Sequence, residues 1–169
     1  MPTDWNHVLM MVGSESRTPV LIGALAATES KEAKQKLLAD WLNMCEAQSP
    51  FREELREQLE LAGFFTDDEE GAPPETPVTV YRAAWEDDEA ERALSWTTER
   101  SVAEFFCRHH TSFRAMFLGI YRDDVDMVIW QGTCHEMYGW LTGRSESEVI
   151  AKTLSDVEPI ALLQRKEKV

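Results

Sequence analysis

Basic residues are scarce in this chain of 169 residues: 17 lysines and arginines stand against 31 aspartates and glutamates, a formal net charge of −14. Phosphate backbones and anionic lipids both need a basic face, so neither direct nucleic-acid binding nor membrane attachment is expected. Long apolar runs are missing as well. No stretch approaches the roughly 18 consecutive apolar residues of a membrane span. The opening Met1-Pro2-Thr3-Asp4 has neither the basic nor the apolar region of a secretory signal. The expectation is a soluble protein of the cytoplasm.

Cysteine is sparse too. Cys45, Cys107 and Cys134 are odd in number and widely spaced, which fits neither a disulfide framework nor a paired-cysteine zinc motif. Buried free thiols are expected instead. The histidines are His7, His109, His110 and His135. His109 and His110 lie beside Cys107, but adjacent residues on a helix point in different directions, so no metal site is expected.

What remains has the texture of a folded chain. The acidic, proline-bearing stretch at 66–77 separates a helical N-terminal region, 1–65, from a region rich in short strands, 78–169. Ser30 caps a predicted helix with Leu37, Leu38, Trp41 and Cys45 along one face. Ser49, Pro50 and Gly63 punctuate a second, striped by Phe51, Leu55, Leu59 and Ala62. Residues 4–12 and 19–27 suit short helices, although Val20-Leu21-Ile22 also suits a strand. Strands are predicted at 78–82, 94–97, 115–121 and 127–131, with a closing strand at 154–162 and a helix carrying Phe105 and Phe106. A short amphipathic helix is predicted around 137–141. Strands with only one or two interspersed helices point to the α+β class. The acidic runs 67–70 and 86–89 read as solvated loops, with docking on a basic partner as the sharper alternative.

Polar groups that could carry chemistry stand in three otherwise apolar strand contexts. Arg82 ends the strand Val78-Thr79-Val80-Tyr81, where a guanidinium suits two-pronged capture of a phosphate or a plain surface position. Ser95-Trp96-Thr97 sets two hydroxyls at a strand end, suited to orienting a carboxylate or to capping the next helix. Glu146-Ser147-Glu148 precedes Val149-Ile150. Strand alternation would send both glutamates to one face, either as a solvated edge or as a pair whose like charges perturb each other.

In this order the sites resemble the arginine, serine and glutamate signature of the ADP-ribosyltransferase family, in the form of its compact bacterial and phage-encoded members. The resemblance covers about 78–160. It implies an ADP-ribosyltransferase-like split β-sheet core and a mono-ADP-ribosyltransferase that takes NAD as substrate. Arg82 would grip NAD, with Tyr81, Thr97 and Phe105 lining the same pocket. Ser95 would orient Glu148, which stabilises the cationic sugar. Glu146 would activate the acceptor, an arginine side chain being favoured. Tyr138 and Trp140 would lie in the target-recognition loop. A phage effector acting on a host or defence protein is the biological setting the resemblance suggests. The competing expectations are an NAD glycohydrolase on the same fold and a non-catalytic acidic inhibitor that blocks a host protein complex.

Overall fold

The computed structural model describes residues 1–46, 48–109 and 127–162. The strand expected at 115–121 lies outside them. The chain forms two compact units: Met1–Pro73 with Met137–Ser145, and Pro74–Glu136 with Glu146–Val169. Helices come first and strands follow, so the class is α+β. No helix among the described residues is long and apolar enough to cross a membrane.

The first unit is built by local punctuation. Asp4 accepts from the His7 backbone N–H at 3.3 Å and starts α1 (Trp5–Met11). Val20-Leu21-Ile22 belongs to α2 (Arg17–Ala27), not to a strand. Ser30 accepts from the Ala33 N–H at 3.2 Å and starts α3 (Lys31–Trp41). The next α-helix starts two residues later than Ser49 and Pro50 suggest. Ser49–Phe51 form a tighter 3₁₀ turn and α4 runs Arg52–Ala62. Ser49 does not cap it; its hydroxyl accepts from Arg52 Nη2 at 3.1 Å. Gly63, with φ 71, ends α4 in the left-handed region that glycine tolerates best. Leu21, Leu25, Leu38, Leu55 and Leu59 are fully buried between these helices; each contributes roughly 1.5–3 kcal/mol by leaving water.

Beyond α4 the first unit turns to strand pairing. β1 (Phe65–Thr66) lies parallel to the far end of β4 (Met127–Leu141), matching Phe65 with Gly139 and Thr66 with Trp140. Residues 137–141 are therefore strand, not the amphipathic helix their spacing predicts. The Phe65 ring sits over Gly139, where an added Cβ would come within 2.5 Å of it. Only glycine lets the ring approach so closely. Asp67 then accepts from the Thr142 and Gly143 backbone N–H groups, both at 2.7 Å, which anchors the turn that follows β4.

The second unit is built by register. β2 (Val78–Trp85) pairs antiparallel with the near end of β4, from Val78↔Cys134 to Trp85↔Met127. On its other side it meets β3 (Ser95–Thr97) at Tyr81↔Thr97, again antiparallel. β3 in turn pairs antiparallel with β5 (Glu148–Leu162). Because β4 and β5 also pair, this sheet closes on itself. Strands β2, β4 and β5 all run longer than the segments predicted from propensity, because pairing on both sides satisfies backbone groups that propensity alone does not count. α5 (Arg100–His109) covers one face, burying Ala103 and Cys107 on Met127 and Ile129, with Tyr81, Ala83 and Trp85 around them.

Candidate functional site

β3 is short, and its central residue decides how it sits. Trp96 is buried and its indole N–H donates to the Ala93 carbonyl at 2.9 Å. Alternation then turns Ser95 and Thr97 to the opposite face. Directly paired residues of an antiparallel ladder share a face. The register Thr97↔Glu148 and Ser95↔Ile150 therefore brings Glu148 beside both hydroxyls. The Ser95 hydroxyl donates to Glu148 Oε1 across the diagonal of the ladder. Glu148 is only 6% exposed, and a carboxylate that far from water needs such a partner to remain there.

Thr97 is placed differently from the expectation that it lines a nucleotide pocket. Its hydroxyl donates to the Glu146 carbonyl at 2.7 Å and accepts from the Glu99 N–H at 3.1 Å. With both functions committed to backbone, it acts as a clamp on the segment leading into Glu148. The neighbouring Thr98 N–H donates to the Ser147 carbonyl at 3.2 Å. This segment is not the extended strand its alternation suggests. Arg144, Ser145 and Ser147 have φ of 65, 56 and 47°, and β5 begins only at Glu148. The left-handed Ser147 breaks the two-residue period, so Glu146 and Glu148 are not successive residues of one strand face. Glu148 is buried at the strand start, while Glu146 stays partly exposed in the preceding turn. Left-handed backbone at residues with a side chain stores strain, roughly 1–3 kcal/mol each, and the clamps from Thr97 and Thr98 hold it.

Arg82 lies on β2 between Tyr81 and Ala83, so its side chain leaves the strand on the face opposite theirs. Its guanidinium nevertheless meets the same network, donating from Nη1 to the Ser95 carbonyl at 2.8 Å. Tyr81 pairs with Thr97 and so shares the face of Ser95 and Glu148; the Arg82 and Glu148 side chains therefore lie on opposite faces of the sheet and meet Ser95 at different groups, its carbonyl and its hydroxyl. The cation is anchored through β3 backbone and the anion through a β3 hydroxyl.

The remaining predicted residues lie elsewhere. Tyr81 packs into the cluster under α5. Phe105 is 55% exposed on α5 and meets Phe106 edge to face, ring centroids 5.9 Å apart. Tyr138 and Trp140 belong to the first unit and are buried there. The Tyr138 hydroxyl donates to Glu60 Oε1 at 2.7 Å, and burial first, then Glu60, pushes its pKa upward. Neither ring is presented to solvent as a target-recognition surface requires. Burial pushes the Cys107 thiol up to about 11 and raises Cys134 too, so both are protonated and unreactive at neutral pH. Among the described residues no three His, Cys, Asp or Glu side chains gather as a metal site.

One residue beside the network was not legible in sequence. Trp130 of β4 pairs directly with Arg82. Only the strand register joins these positions, and no local motif signals it. Comparison of the chain with protein-family models, characterised proteins and solved structures returned no match.

Proposed function

We propose that the strand unit is an NAD-dependent mono-ADP-ribosyltransferase, built on a single sheet closed by β4–β5 pairing instead of the split sheet the resemblance implies. The observation that carries this reading is the buried Glu148 carboxylate held by the Ser95 hydroxyl, with the Arg82 guanidinium on the adjoining carbonyl. A carboxylate fixed in a site of low polarity is suited to stabilising a cation that exists only in the transition state. In NAD that cation forms at the nicotinamide ribose C1′. The C1′–N bond breaks, its electron pair leaves with neutral nicotinamide, and positive charge spreads over C1′ and the ring oxygen. Glu148 faces that charge, and Ser95 keeps its carboxylate in one rotamer. The acceptor nitrogen, an arginine guanidinium being favoured, forms the new bond to C1′, and its proton passes to Glu146. A general base has to reach the incoming group, and a partly exposed turn residue suits that better than a buried one.

The test is transfer of labelled ADP-ribose from NAD to lysate proteins, followed by mass spectrometry of the labelled bands. Glu148→Gln keeps the shape of the side chain and removes its charge. It should lower transfer by at least about 10³-fold, equivalent to about 4 kcal/mol of transition-state stabilisation. Transfer at the wild-type rate in this variant removes Glu148 from the mechanism. Nicotinamide release without any labelled protein identifies water as the acceptor, and the enzyme as an NAD glycohydrolase.

A further inference from the structure

The seven-residue helix α1 turns three side chains with metal-ligating atoms to solvent. Leu9 is fully buried and marks the inward side of the helix. At about 100° per residue His7 lies almost opposite Leu9, with Met10 about 60° to one side of it and Met11 about 40° to the other. All three are exposed, Met10 at 67% and Met11 at 74%. A surface helix ordinarily gives that side to charged or polar residues. Here an imidazole stands between two thioethers. The hydrogen bond His7 makes runs from its backbone N–H to Asp4 at 3.3 Å and does not engage the ring.

Met10 and Met11 are chain neighbours and diverge around the helix, but each is a neighbour of His7. The spacings of three and four residues set their Cβ atoms about 5–6 Å from that of His7. Long side chains on a helix lean toward its N-terminus, over the residues three and four before them. Both thioethers therefore lean toward the same imidazole, and three rotatable bonds let each sulfur adjust to a common point. We infer that His7, Met10 and Met11 bind a soft monovalent metal ion of the cuprous class, through one imidazole nitrogen and two thioether sulfurs. Thioethers select Cu(I), and imidazole suits copper as well. The set contains no carboxylate for calcium or magnesium and too few nitrogen, thiolate or carboxylate ligands for zinc. The site lies within the helical unit and is independent of the NAD reading of the strand unit.

The experiment is anaerobic titration of the full chain with Cu(I) held in solution by acetonitrile, with a parallel Ag(I) titration, a soft ion without redox chemistry, followed by NMR. Wild type should take up one equivalent of Cu(I), and Ag(I) should shift the Met10 and Met11 methyl signals together with those of the His7 ring. Met10→Leu combined with Met11→Leu keeps the apolar volume and removes both sulfurs. It should weaken Cu(I) binding by at least about a hundredfold, the upper end of what losing a mere supporting partner costs a metal site. His7→Gln should weaken it by at least about tenfold. Met44→Leu removes a partly exposed thioether outside the set and should bind as wild type does. Thermal melting separates a lost ligand from a lost fold, and the single methionine variants carry the test should the double variant not fold. Unchanged Cu(I) affinity in the double variant overturns the assignment and puts the ion on a cysteine thiol. An equal loss in Met44→Leu overturns it too, since the effect would follow the number of thioethers and not their place. So does Zn(II) bound by wild type as tightly as Cu(I), or no uptake of Cu(I) at all.

Discussion

The helical unit and the strand unit each bury a charged side chain, and they hold it in different ways. In the helical unit Lys34 is 8% exposed, and its ammonium donates to the Leu25 carbonyl at the end of α2 and to Gln58 Oε1 at 3.2 Å. A cation on a helix C-terminal carbonyl complements the helix dipole, and here it shares the Leu25 carbonyl with the Thr28 N–H at 3.2 Å. That buried charge joins two helices to a third, and its role is complete within the fold. In the strand unit Glu148 is buried at the start of β5 beside a turn with three left-handed residues carrying side chains. Its setting costs stability in backbone strain, roughly 1–3 kcal/mol for each left-handed residue. Where a buried charge closes a structural gap, removing it should cost stability. Where the fold accepts strain to keep one, removing it should cost activity.

The sharpest way to break this contrast is Glu148→Gln. Besides the loss of transfer given above, its thermal midpoint should equal or exceed that of wild type. A variant that lost activity only because it unfolded would erase the distinction. Next in size, Lys34→Ala removes both hydrogen bonds and the buried stem, and should lower unfolding free energy by about 2–3 kcal/mol in urea titration. NAD turnover by the folded fraction should stay unchanged; a selective loss of turnover would mean that Lys34 is not purely structural. Thr97→Val is isosteric but leaves the Glu146 carbonyl and the Glu99 N–H without their partner, at a cost of about 1–2 kcal/mol. Thr97→Ser should restore most of it, and a serine variant as unstable as the valine one would rule out the hydroxyl as the clamp. The smallest effect is expected at Ser147. Glycine there relieves a φ of 47° but adds freedom to the unfolded chain, for a net gain of about 0.5 kcal/mol. Destabilisation of more than about 1 kcal/mol would show that the serine side chain, not the backbone, holds the turn.

How much of this could be read from the residues differs between the two units. Ser30 and Gly63 mark helix ends through rules that act within a few positions, and the structure follows them. At Ser49 a local rule fails by two residues, because Pro50 is accommodated in a 3₁₀ turn before the α-helix begins. Residues 137–141 mislead more seriously. Their spacing suits a helix, but β1 supplies a parallel partner from more than 70 positions earlier, and Gly139 admits the Phe65 ring. In the candidate site, Arg82, Ser95 and Glu148 were identifiable as polar residues in apolar strand contexts. Glu146 was placed with Glu148 on the assumption of continuous alternation, which the left-handed Ser147 interrupts. Thr97 looked like a ligand group because its hydroxyl is visible in the sequence, whereas the carbonyl it holds, 49 positions away, is not.

By itself, then, the sequence determined the acidic balance, the order of helices before strands, most helix ends and the polar residues worth inspecting. Each of these depends on composition or on contacts spanning a few residues. The tertiary structure alone decided that Ser95 meets Glu148, that Arg82 reaches the Ser95 carbonyl, that Thr97 is a clamp and that Trp130 stands beside Arg82. Those facts depend on strand register. Register is set by burial and backbone pairing summed along whole strands, and a slip of one residue would turn every one of these side chains to the other face.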